Sequence, residues 1–164
     1  MFKFIKIPLL AIVLALMISP VMAKEIRGFK AYQTKGQFSD VLLELQDAII
    51  NRGYVIDFTG HLNQMLKRTS KSAGSVTVKG SKTPYLDAQF MHFCSAKLSH
   101  EVISANPQNI AICPYVVFIY ELKREPGIVH VGYRRPISGP SKRSRKAMAK
   151  IDALLDTIVK EALQ

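Results

Sequence analysis

Ile110–Leu122 reads IAICPYVVFIYEL and is the most apolar stretch of the chain outside its first residues. From Val116 to Tyr120 only one tyrosine hydroxyl interrupts the hydrocarbon. The β-branched and aromatic content suits a strand, and an unbroken apolar run suits a central strand covered on both faces. Lys123-Arg124-Glu125-Pro126-Gly127 is a turn, and Ile128–Tyr133 returns as the hairpin partner. Val129, Val131 and Tyr133 then share one face, with His130 and Gly132 on the other.

Working outward, residues 85–94 (YLDAQFMHFC) predict a further strand, followed by a short helix at about Ser99–Ala105 that Asn106-Pro107 ends. Residues 28–35 predict a strand that Gly36 breaks. Residues 37–52 are the clearest helix: Phe38, Val41, Leu42, Leu45, Ala48 and Ile49 recur at spacings of three and four. Ser39-Asp40 supplies capping and negative groups at its start, and Gly53 its stop. Residues 54–58 predict a strand and 61–68 one or two helical turns. Residues 69–83 predict an exposed loop, with a short strand at Ser75–Val78. Pro136, Gly139 and Pro140 mark a linker, and a last helix runs from about Ser141 to Leu163. Its apolar stripe is Ala147, Ile151, Leu154, Leu155, Ile158 and Ala162. The hairpin-linked late strands predict an α+β fold, a two-layer antiparallel sheet packed by helices on one side.

The ends of the chain have their own chemistry. Residues 1–23 combine Lys3 and Lys6 with an apolar run from Ile7 to Ile18 and a Val21-Met22-Ala23 cleavage pattern. That is the form of a secretory signal peptide cleaved after Ala23. Its apolar core is short of the roughly 20 residues that span a bilayer. The expected location is periplasmic or secreted. The leader also explains why a chain of net charge +11 has a mean hydropathy of +0.11; its removal leaves +9. The domain reading is a leader at 1–23, an α+β domain at 24–136, and a basic linker with its helix at 137–164 packing on the same domain.

Most of that charge lies in one stretch, 123–150, which holds nine cations against Glu125 alone. Arg134, Arg135, Lys142, Arg143, Arg145 and Lys146 form its basic patch. The pattern resembles a nucleic-acid patch, but export argues against nucleic acid. It favours an anionic surface, such as lipid headgroups or acidic glycans, or an acidic protein partner; a solvated helix start is the plain alternative.

Two cysteines in an exported chain, Cys94 and Cys113, have three readings. They form a structural disulfide, a thiol or thiol–imidazole site with His100, or two inert buried thiols. Two thiolates and an imidazole would suit copper or zinc; otherwise no cofactor is expected. His61, His92 and His130 are scattered. The chain has no Gly-x-Ser-x-Gly elbow, no His-Glu-x-x-His and no P-loop, so no catalytic residues are assigned and enzymatic activity is not expected.

Three pieces resemble the bacterial family called domain of unknown function 302. They are FKAYQTKGQFSDVLLELQDAIINRGYVID (29–57), FMHFCSAKLSHEVISANPQNIAICP (90–114) and YVVFIYEL (115–122). The family pairs a Cys after a strand with a His six residues on and a second Cys before the central strand. Cys94, His100 and Cys113 stand at those positions. The resemblance implies a TATA-binding-protein-like fold, β-α-β(4)-α, and groups the three residues as one site. It implies no reaction. The expectation is a non-enzymatic accessory protein that binds a small ligand or protein partner, as monomer or homodimer. The alternative is a thiol-based redox or metal-handling protein.

Overall fold

The computed structural model describes residues 24–26, 28–72, 83–137 and 141–164. The leader, the strand expected at Ser75–Val78 and the middle of the Pro/Gly linker lie outside them. The elements in order are β1 (Lys24–Ile26), β2 (Phe29–Lys35), α1 (Phe38–Ile50), β3 (Ile56–His61) and α2 (Leu62–Ser72). Then come β4 (Tyr85–Phe93), α3 (Ala96–Ala105), a 3-10 turn (Pro107–Ile112), β5 (Tyr115–Leu122), β6 (Ile128–Arg134) and α4 (Lys142–Glu161). The strands form one antiparallel sheet in the order β1-β2-β6-β5-β4-β3. Five are long; β1 is a three-residue edge strand that was not expected. The α+β reading holds.

The period-two pattern decides which side of the sheet is dry. Tyr32, Met91, Phe93, Tyr115, Val117, Ile119, Val129, Val131 and Tyr133 point one way and are buried. Against them pack Leu45, Ala48 and Ile49 of α1, Val102 of α3, and Met148, Ile151, Leu155, Ile158 and Val159 of α4. Each large side chain of this set contributes about 1.5–3 kcal/mol by leaving water. The stripe expected on the last helix is thus its buried face, with Leu154 only half buried.

Three local expectations are corrected. The strand read from Ile110 begins at Tyr115: a 3-10 turn capped by Asn106 and a cis Cys113–Pro114 bond occupy 107–114. The helix read from Ser99 begins at Ala96, because Ser95 caps it by accepting a hydrogen bond from Leu98 N. The residue before α1 is Gln37, without a side-chain cap, and Ser39 instead donates to Asp40.

The larger correction concerns β5. Its apolar run predicted cover on both faces, yet α1, α3 and α4 all pack on one. The other face carries Val116, Phe118 and Tyr120, and is paved by rings from the neighbouring strands. Among the described residues the run is apolar because this face is aromatic, not because α1, α3 or α4 also covers it. Among the described residues no helix is long and apolar enough to cross a membrane.

Candidate functional site

Sheet register brings the cysteines together. Phe93 of β4 pairs with Tyr115 of β5, so the chain leaving β4 and the chain entering β5 sit at the same end. Cys94 is one residue past that pair and Cys113 two residues before it. Both are free thiols and half buried. Helix α3 passes over them, and Ser99 on its inner side completes the cluster. Cys113 Sγ donates to Ser99 Oγ at 3.4 Å, and Ser99 Oγ lies 3.0 Å from the Tyr115 hydroxyl. The Cys94 thiol has the Tyr115 backbone, the Ser99 hydroxyl and the Cys113 thiol as its electrostatic neighbours.

Burial dominates the electrostatics. It pushes the Cys94 thiol above its ordinary value; hydrogen bonds from the Tyr115 backbone and Ser99 pull down, and the neighbouring Cys113 pushes up again. Burial likewise pushes the Tyr115 hydroxyl up to about 12, the Ser99 hydrogen bond opposing it and both cysteines adding to it. At neutral pH Cys94 is therefore a thiol, a weak nucleophile. Cys94 also lines a cavity of about 450 Å³ with Gly53, Tyr54, Val55, Asp57 and Lys97. Tyr54 of this lining stacks on Phe93, and Phe93 meets Tyr115 edge-on.

His100 is not part of this cluster. It is exposed on α3, and its side chain has no hydrogen bond or ion pair with the described residues. Among those residues no group of three His, Cys, Asp or Glu side chains could hold a metal ion. Ser99 and Tyr115 take the places expected of the imidazole, and sequence reasoning missed both. A serine inside a short amphipathic helix and a tyrosine opening an apolar strand look like ordinary helix and core residues.

The fold divides the basic stretch. Lys123 and Arg124 sit in the β5–β6 turn, with Lys123 bonded to Thr83 O and Arg124 paired with Glu125. Arg134, Arg135, Lys142, Arg143, Arg145 and Lys146 lie toward the other end of the sheet. Arg135 is committed to a two-pronged pair with Asp152, at 3.1 and 3.2 Å. Lys142, Arg143, Arg145 and Lys146 are exposed on the first turns of α4, around Ser144. Ser144 is buried and accepts from Asn109 Nδ2 at 3.0 Å. Asn109 also donates to Val102 O, which ties the 3-10 turn to α3 and α4.

The aromatic face of the sheet was not anticipated as a site. A cavity of about 500 Å³ opens on it, the larger of the two described here, away from the thiols and with Phe29, Phe118 and Tyr120 in its lining. His130 stacks flat on Tyr120, with ring centroids 4.6 Å apart. Its buried Nε2 lies 3.6 Å from the Glu125 carboxylate, too far for a hydrogen bond.

No family model matches the chain, and no curated protein matches it by sequence. Among solved structures it is similar to the crystal structure of an uncharacterized conserved protein, DUF302, from Bacillus stearothermophilus. The TM-score is 0.65 at 12% identity, over 84% of this chain and 99% of that one. The α+β fold is therefore shared with this neighbour, and in fold the chain resembles the family of domain of unknown function 302. At this identity the likeness speaks for the fold alone.

Proposed function

We propose that this chain is a small exported, non-enzymatic binding protein, with its ligand or partner seated at the sheet end that carries Cys94 and Cys113. The observation that carries this reading is the convergence of both thiols with Ser99 and Tyr115 beside the 450 Å³ cavity. The cluster contains no general base, and its Cys94 is held protonated, so it suits packing and recognition better than nucleophilic turnover. In an oxidising compartment the adjacent thiols close to one disulfide. A disulfide on a partner thiol protein takes up the two electrons and two protons and leaves as two thiols. The bond would tether the 18 residues between the cysteines, worth roughly 3 kcal/mol in the chain-entropy model.

The adjacency of the sulfurs also favours a second reading, a reversible dithiol that exchanges with partner disulfides or holds copper or zinc. Thiol counting on protein taken from the periplasm separates the two. Sulfurs that label only after reduction support the binding protein. Two fast-reacting thiols, or stoichiometric copper or zinc lost in Cys113→Ala, support the second reading and overturn the first.

A further inference from the structure

The open face of the sheet is built in an unusual way. Gly132 of β6 pairs with Phe118 of β5, and Gly60 of β3 pairs with Phe90 of β4. A Cβ on Gly132 would come within 2.5 Å of Phe118 Cζ and closer still to the Lys30 carbonyl oxygen. A Cβ on Gly60 would come within 2.8 Å of three atoms of the Phe90 ring. Each phenylalanine thus lies down over a glycine instead of standing away from the sheet. Any side chain at either glycine would lift its ring into the space above.

The lowered rings make a floor. Phe118 is stacked against Tyr120 and meets Phe29 edge-on, while Tyr120 meets Tyr85 edge-on. Above this floor is the 500 Å³ cavity, walled on one side by Leu62 at the start of α2. The volume is within the range of small-molecule pockets, and the lining is mostly apolar and aromatic. Among the described residues of the lining, Arg134 is the one that carries a charge. It is exposed and its side chain has no hydrogen bond or ion pair with the described residues, whereas the adjacent Arg135 is held by Asp152.

We propose that this face binds a small planar aromatic molecule carrying one anionic group, with its rings on the Phe118–Tyr120 floor and its anion on Arg134. Ring faces reward an offset-stacked aromatic, and a guanidinium at the mouth rewards a sulfonate, carboxylate or phosphate. A second copy of the chain fits less well. Two-fold pairing would set one hollow floor against another and bring the same cation to both sides. The site is separate from the cavity at the thiols and does not depend on the reading given to them.

Fluorescence titration of the oxidised mature chain tests this with anilinonaphthalene sulfonate and its uncharged analogue phenylnaphthylamine. Both should bind at one site. Arg134→Gln should weaken the sulfonate about tenfold, the scale of one lost charge-assisted hydrogen bond, and leave the neutral probe unchanged. Phe118→Ala should weaken both, with each variant's unfolding midpoint measured alongside to show that it is folded. Equal sulfonate affinity in Arg134→Gln would overturn the proposal. So would absence of binding by the wild-type chain, or a dimer in sedimentation whose formation excludes the probe.

Discussion

Asp156 is the most heavily engaged carboxylate in the fold, and its removal should make stability lose a specific pH dependence. It sits on α4 facing the sheet, 2.7 Å from both Lys30 Nζ and Lys160 Nζ, and accepts a hydrogen bond from the Tyr32 hydroxyl. Burial disfavours its charge, but hydrogen bonds from Lys160, Lys30 and Tyr32 outweigh that and hold its pKa at about 2, against an ordinary 3.8. That depression corresponds to roughly 2 kcal/mol. The carboxylate is only 19% exposed, but Lys160 is 53% exposed, and screening there brings the expected contribution to about 1–2 kcal/mol. The sign follows from the lowered native pKa: the stabilisation is complete above the unfolded value and disappears as pH falls through the native one. It should be full above about pH 5, about half gone near pH 3, and nearly absent at about pH 2. Urea unfolding followed by far-ultraviolet circular dichroism, on wild type and Asp156→Asn, measures this. The wild type should be more stable by about 1–2 kcal/mol at neutral pH, and the two curves should converge toward acid. A gap that stays constant from neutral pH to pH 3, or no gap at neutral pH, would refute the reasoning.

Other outcomes follow from the same geometry. Ser99→Ala removes a hydrogen bond that favours the Cys94 thiolate. Alkylation of the reduced protein should then need a higher pH, and stability should fall by about 1 kcal/mol; an unmoved pH–rate profile would count against the cluster as described. Gly132→Val must displace both the Phe118 ring and the Lys30 carbonyl, at a cost of about 1–3 kcal/mol in urea unfolding. A variant as stable as wild type would show that the ring is not seated on the glycine. The exposed cations at the start of α4 should hold the chain on anionic liposomes at low salt, with release as ionic strength rises. Equal retention after neutralising Arg143, Arg145 and Lys146 would remove that role.

The helices and strands were legible wherever a period was strong. Leu45, Ala48 and Ile49 announced α1, and Val129, Val131 and Tyr133 announced the dry face of β6. The β5 run was legible as a strand but not as a half-open one, because period two is invisible when the outward residues are also apolar or aromatic. The nearness of the two thiols rests on the Phe93–Tyr115 register, which no local pattern encodes. His100 and Ser99 show how narrow the margin was. Neighbouring helical residues point about 100° apart, so one position separates a side chain on the thiols from one in water. The aromatic floor left a faint trace, a glycine facing outward beside His130 in β6, but its meaning depended on Phe118 lying opposite.

The most direct test of the account is peptide mapping of the chain after export to the periplasm, with free thiols blocked before lysis. The expected result is one intramolecular Cys94–Cys113 disulfide and no alkylation of either residue until a reductant is added. Two residues alkylated without reductant, or cysteines joined only between chains, would contradict it.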